Sequence, residues 1–410
     1  MELSRRDPVW PALAALCLFA GSVAGGYLVD PRLRQLDAPP LVGHWDVRIS
    51  PRVLLPLVAG LALWQVAPRV QALPWRRCLL AAWGMAGLWA VALAATDGAD
   101  GFTRPLLLKD DYLHDLGRFD GSFLSTFTQH IQSGPGQWAN HVAGHPPGVP
   151  LLLKGLDGIG LHGAWPAAVL FIAAGASATA AVLVTVARVA DEATARRALP
   201  FVALAPGLLW VATSADALFL GVTAWGLALC ALKRPLAAGL VLGSSLFLTY
   251  GALPLGLLAF VLLRRPLPLV KAAAGVLSVV ALFAVLGFWW FDGLHQTYLR
   301  VHAGTGGYRP LEYFAFADLA VLGVAVGPAA FVGLRALGRS HPLWLLVGPL
   351  LVALLVADGT GTMRGEVERI WLPYVPWLLA PTALLAHPRR WLALQLVLAF
   401  VVQLVLRSKW

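Results

Sequence analysis

Apolar runs of membrane length recur along this chain, and they settle its class before any motif is read. They lie near 9–28, 53–67, 78–96, 164–187, 198–213, 216–232, 236–249, 251–263, 268–290, 313–334, 342–357, 371–386 and 391–406. Runs of roughly 15 to 26 residues can cross a hydrocarbon layer ~30 Å thick, the shorter ones with local thinning or snorkelling. Only helices and closed barrels satisfy their own backbone in lipid. A barrel strand alternates apolar and polar positions, whereas the apolar positions here are continuous. The chain is 59% hydrophobic and only 13% charged, against about 25% charged for a soluble domain. These observations predict an all-α polytopic membrane protein with about thirteen transmembrane helices.

Charge orders the spans. With the N-terminus on the cytoplasmic side, the inner segments collect seventeen basic and four acidic residues, and the other face fourteen basic and seventeen acidic. That is the asymmetry of the positive-inside rule, and it holds through seven successive inner segments. It also decides the run Val149–Leu161: counted as a span, it would invert every later loop. We therefore expect Pro146–Leu161 to be an amphipathic helix in the outer interface, opened by Pro146-Pro147, with Lys154 and Asp157 toward water and its leucines in the acyl boundary.

The net charge of +10 does not mark a nucleic-acid partner, because the basic residues are scattered through short loops without interleaved aromatics. Cys17, Cys78 and Cys230 all sit in or at apolar runs, so no disulfide framework is indicated. The first run, after Arg5 and Arg6, is long for a signal peptide and lacks a small-residue cleavage site, so it reads as a retained helix. There is no nucleotide-binding or nucleophile-elbow motif.

Between Asp97 and about Leu161 the hydrophobic pattern lapses. Seven of the 21 acidic residues and four of the ten histidines gather there. Asp97 and Asp100 follow a span directly; a carboxylate at that boundary is half desolvated and can act as a base, or can simply end the helix. The pair Asp110-Asp111, followed by Tyr112, can divide base and orienting roles or hold a divalent cation, and can equally form a solvated turn. His141 and His145 suit phosphate binding or proton transfer, but the glycine and prolines after them argue against a helical zinc pair. Further outer segments bring Asp216, Arg309, Arg364, Glu366, Glu368 and Arg369. Arginine forks suit a phosphate, although Glu368-Arg369 reads equally well as a structural ion pair. Asp318 is the main ionisable residue inside a span.

A span ending in Asp97, a long outer loop with Asp111-Tyr112, and His145-Pro146-Pro147 opening an interface helix together resemble the GT-C superfamily of integral membrane glycosyltransferases. That superfamily includes the protein O-mannosyltransferases and the lipid A aminoarabinose transferases. Ser214-Ala-Asp216 and Arg369 before Pro373 are similar too. Gly144-His-Pro-Pro-Gly148 with Gly365-Glu-Val-Glu-Arg-Ile-Trp371 resembles a bacterial subgroup of these enzymes. The likeness covers roughly residues 78–385. The family's catalytic loop usually follows the first span and here follows the third, so residues 1–77 are expected to be a two-span addition to a domain at 78–406, with the catalytic loop at 97–163.

The resemblance implies transfer of a hexose (such as mannose) or a pentose from a polyprenyl-phosphate carrier to a polysaccharide, glycolipid or protein. The reaction would occur at the outer face of a bacterial cytoplasmic membrane. Asp97 is the first choice for the base, with Asp111 assisting or holding a divalent cation. Arg364 and Arg369 with His145 would meet the leaving phosphate, and Asp100, Asp110, Tyr112, His141, Asp216, Arg309, Glu366 and Glu368 would complete the substrate site. Two other classes compete. A secondary transporter would place ionisable groups in mid-span, whereas here they lie almost wholly at span ends. A scaffold would leave the clustered carboxylates without a purpose.

Overall fold

The computed structural model describes residues 7–28, 33, 36–212, 214–361 and 363–408. The chain is predominantly helical, and among the described residues six helices are long and apolar enough to cross a membrane. They are Trp10–Leu28, Pro51–Ala72, Trp75–Asp97, Ala164–Val189, Pro266–Val285 and Pro388–Val405. Among the same residues five further apolar helices are shorter. Trp344–Gly359 is one of them; its 16 residues reach roughly 24 Å at 1.5 Å per residue.

Three of the thirteen expected spans are broken, each for a local reason. The run 313–334 is a pair of helices, Leu311–Val326 and Pro328–Ala336, bent by 93°. Gly327 between them has a φ of 76° that a side chain would resist, and Pro328 starts the second helix where its missing N–H is harmless. The run 198–213 ends its helix at Ala203 and passes into a 3-10 turn, Pro206–Trp210. The run 371–386 holds Pro373, Pro376 and Pro381 and is reduced to a helix Val375–Leu378 and a 3-10 turn Ala380–Leu384.

Ala164–Val189 lies at the centre and is mostly buried, and Pro266–Val285 lies at the edge with little of its length covered. The central helix packs on Trp75–Ala94 and on Asp216–Ala231. Small residues let it approach: a Cβ on Gly221 would stand 2.3 Å from the Ala174 carbonyl oxygen. Gly239 repeats this against Ala272 at 2.0 Å, the close-contact mode by which helices associate in lipid. Trp10–Leu28 lies against Leu311–Val326, with the Tyr313 hydroxyl donating to the Ser22 carbonyl at 2.8 Å. Pro51–Ala72 packs on Trp75–Ala94 and Pro388–Val405.

The mostly helical fold carries one small antiparallel three-stranded sheet, Asp37–Ala38, Leu41–Trp45 and Leu406–Ser408, with Gly43 opposite Ser408. One expectation is corrected here. The helix after Pro147 does form, over Gly148–Gly158. Its apolar side, however, turns into the protein, where Val149, Pro150 and Leu153 are buried against the turn Tyr112–Arg118. The apolar residues left outside follow it: Ile159, Leu161 and Trp165 are all exposed.

Candidate active site

Residues 97–163 fold as short helical turns around an aromatic core of Phe119, Phe123, Phe127 and Trp138. Arg118 stacks 4.1 Å above the Trp138 ring. Buried Asp115 accepts from the Ala139 N–H at 2.6 Å and from Arg118 at 2.7 Å. It thereby ties the Tyr112–Arg118 turn to the stretch leading into His141. Arg300, on the helix Trp290–Ala303, donates to the Asn140 side chain at 2.8 Å and to the carbonyls of Ile131 and Trp138. Arg300 is thus a clamp for this segment. Asp110 takes the His141 N–H on its carbonyl at 2.9 Å and the Asn140 amide on its carboxylate at 3.0 Å.

These ties present Asp111 to His141. One Asp111 oxygen caps Tyr112 N–H at 2.7 Å and the other meets His141 Nδ1 at 2.7 Å. One turn on, His145 Nδ1 lies 2.9 Å from the His141 carbonyl oxygen. A carboxylate and a carbonyl can only accept, so both imidazoles carry their proton on Nδ1 and offer Nε2 as an acceptor. Burial pushes the His145 pKa down to about 4, which keeps that ring neutral at physiological pH. Gly148 closes the His-Pro-Pro step because its N–H bonds the Phe247 carbonyl, and a Cβ there would stand 2.3 Å from that oxygen.

The far side of the site comes from residues 364–369. Gly365 and Glu366 both have left-handed backbone, with φ of 79° and 66°, a strained setting for a glutamate. It is held by the Gly365 N–H donating to Asp318 at 3.0 Å and by the Glu366 carboxylate meeting Arg309 at 3.2 Å and Arg369 at 2.8 Å. Arg369 also binds Asp216, at the start of the helix Asp216–Ala231, at 2.7 Å, and its other terminal nitrogen stands 3.4 Å from His141 Nε2. Arg309 and Arg364 each donate to the other's backbone carbonyl.

The result is a chain of charge, Asp111–His141–Arg369 with Asp216 and Glu366, closed by Arg309, in which Asp111, Arg369 and Asp216 are buried and the others partly so. Burial opposes the charge on Arg369, but Asp216 and Glu366 outweigh it and hold the guanidinium pKa above its usual value. Burial likewise raises Glu366, and Arg369 with Arg309 brings it below the usual range. Tyr112 rises well above 10 through burial and the nearby carboxylates of Asp216 and Asp111. Its ring packs on both His141 and His145, and its buried hydroxyl has no partner among the described residues. A buried phenol left without a partner next to two imidazoles is a feature that calls for a reason.

Two sequence-based roles change. Both Asp97 oxygens are bonded by Arg48, and Gln403 approaches one of them at 3.4 Å. Among the described residues no hydrogen bond or ion pair joins Asp97 to the Asp111 cluster, and exposed Asp100 lines the Asp97 cleft instead. Arg369 is not an open phosphate fork, because Asp216 and Glu366 engage both of its ends. Glu368 is fully buried on the same short helix, Val367–Ile370. Sequence reasoning missed Arg48 and Gln403 entirely. The one available signal was that Arg48 is an arginine on the face expected to be acidic.

The carboxylates of Asp111, Asp216 and Glu366 are turned to an imidazole or a guanidinium. Among the described residues no three metal-ligating side chains are grouped to hold an ion. This donor set does not fit a divalent cation. No family model matches the chain, and no curated protein is significantly similar to it, so the residues carry the functional reading.

Proposed function

We propose that this protein is an integral membrane glycosyltransferase that moves a sugar from a polyprenyl-phosphate carrier to an acceptor at the outer face of the cytoplasmic membrane. The observation that carries the reading is the Asp111–His141 pair set against buried Arg369. In this reading His141 is an oriented base and Arg369 a fixed positive field beside it, near the ends of apolar helices. A carrier's tail would stay in lipid there while its sugar phosphate reached the site.

In the proposed reaction the acceptor oxygen attacks the anomeric carbon and the bond from that carbon to the carrier phosphate breaks. The phosphate leaves with the electron pair. His141 Nε2 takes the hydroxyl proton, displacing its loose 3.4 Å contact with Arg369, and Asp111 steadies the imidazolium, a general-base arrangement. His145 Nε2 and the Tyr112 hydroxyl, one an acceptor and one a donor, suit the sugar's hydroxyls. The leaving phosphate is assigned to half-buried Arg309 and Arg364, with Arg369 contributing field and position.

The test is an assay of purified protein with labelled polyprenyl-phosphate sugars. Wild type is expected to transfer and Asp111→Asn to fail. One observation favours a second reading as a secondary transporter: Asp318 is buried inside the helix Leu311–Val326, with one carboxylate oxygen unpartnered among the described residues. No transfer from any lipid-linked sugar, together with solute flux in liposomes that Asp318→Asn abolishes, would replace the first reading by the second.

A further inference from the structure

The Asp97 side of the molecule holds a second cluster that the transfer reaction does not use. A cleft of about 90 Å³ lies between residues 97–105 and the strand Leu406–Ser408, lined by Arg48, Asp97, Asp100, Arg104, Gln403 and Arg407, with Trp210 behind them. Its volume is several times the ~10–15 Å³ needed by one water, room for a group of phosphate size. The turn Pro206–Trp210 stands between this cleft and the short helix of Arg369, packing against the latter.

We propose that this cleft binds a phosphate group through Arg104 and Arg407. The charge of Asp97 is already neutralised by Arg48, which is itself fixed by the carbonyls of Gln403 and Leu406. The other two arginines are far less engaged. Among the described residues, Arg104 meets only the Ser408 carbonyl, at 3.4 Å, and Arg407 stands 3.9 Å from Asp46, with both of those side chains about half exposed. The second separation is beyond hydrogen-bond range. Two guanidinium forks therefore face one cleft with their donors poorly used, and such forks match phosphate oxygens geometrically. The lining carries three arginines against two aspartates, a net positive wall. Exposed Asp100 at its rim would accept from a hydroxyl on the same ligand.

The convergence is a product of the fold, since Arg48, Arg104 and Arg407 are remote in sequence. It also runs against the acid-rich balance that charge topology gives this end of the bundle. The flanks are apolar: Val47 and Ile49 beside Arg48, and Leu107 and Leu108 just past Arg104, are all exposed. A phosphate carried on a lipid would find its chain supported there, and free phosphate would need only the two arginines.

The experiment uses the purified full chain in detergent micelles. It is titrated with inorganic phosphate, a short-chain phosphatidic acid, and the matching diacylglycerol as an uncharged control, with binding read by native mass spectrometry and thermal shift. We expect saturable binding of phosphate-bearing probes and none of diacylglycerol, weakened about tenfold or more by Arg104→Gln or Arg407→Gln, the scale of a lost charge-assisted bond. Arg335→Gln, in the helix Pro328–Ala336, should change nothing. Phosphatidic acid binding more than tenfold tighter than phosphate supports a lipid headgroup as the source; equal affinities support a free anion. Absence of binding by both phosphate probes, or binding that both cleft variants leave unchanged while remaining folded by size-exclusion profile, overturns the proposal. Asp111→Asn should keep this binding while losing transfer, so the site and the proposed reaction fail separately.

Discussion

Asp97 and Asp111 belong to one segment, and each meets a basic partner, yet the structure treats them oppositely. The Asp97 side chain is 34% exposed and sits against a single arginine braced by distant carbonyls. The Asp111 side chain is 7% exposed and begins a relay through His141 and Arg369 to two more carboxylates. Water reaches the first pair from the Asp97 side, which weakens its Coulomb energy. The second is desolvated, so each member depends on the others. A carboxylate bonded on both oxygens by a guanidinium is a poor base. One that orients an imidazole makes a good one of its neighbour.

The sharpest way to break this contrast is to neutralise each acid in turn. Asp111→Asn should lower sugar transfer by about 10²–10⁴-fold, the usual worth of a positioned acid–base group, while Asp97→Asn lowers it less than about tenfold. The reverse ranking in steady-state assays would return the base to Asp97. Stability comes next. Arg369→Met strands buried Asp216 and leaves Glu366 to Arg309 alone, and should cost about 3–5 kcal/mol in denaturant unfolding, part of it recovered by adding Asp216→Asn. Arg48→Met leaves Asp97 in reach of water but empties the carbonyls of Gln403 and Leu406, so it should cost about 1–3 kcal/mol, and equal losses would show the two clusters to be alike.

Of similar size is Asp115→Ala, which removes the acceptor for Ala139 N–H. It should cost about 1–3 kcal/mol and open residues 130–140 to limited proteolysis without disturbing the Asp97 side. The mildest effect is on pH dependence. His145 is held near 4 against an ordinary 6.5, so the unfolded chain binds the extra proton first as pH falls. The His145 contribution is complete above pH 6.5 and drains away between about 6.5 and 4. His145→Gln should flatten the unfolding profile in that window, and an unchanged profile would show that the ring is not buried in solution.

Much of the scaffold was legible because lipid imposes a simple code: apolar length gives the helix positions, and prolines with Gly327 mark where they break. The polar stretch was legible for the same reason, as a lapse in that code. Its division into two sites was not. Arg48 and Gln403 reach Asp97 from remote parts of the chain, and no local pattern announces such a meeting. The leucine face of Gly148–Gly158 was visible, but a helix pattern does not say whether protein or lipid covers it. Adjacency also misled at Glu368-Arg369. Neighbouring residues point to different sides of a helix, whereas Glu366, three back, shares the face of Arg369, and Asp216 arrives through tertiary packing alone.

The strand pairing of Gly43 with Ser408 has a consequence in simple counting. Two hydrogen-bonded strands lie on one side of a membrane, so the chain between them must cross an even number of times. Asp7, which takes the Ala386 and His387 N–H groups at 2.8 Å, imposes the same parity on residues 7 to 386. If the six long helices were the whole set of crossings, five would fall inside each interval, and the paired strands would be stranded on opposite faces. If all six do cross, at least one of the bent or shorter helices must therefore traverse the bilayer as well, and a two-sided labelling experiment on cysteines placed at 44 and 407 can only ever find both on the same side.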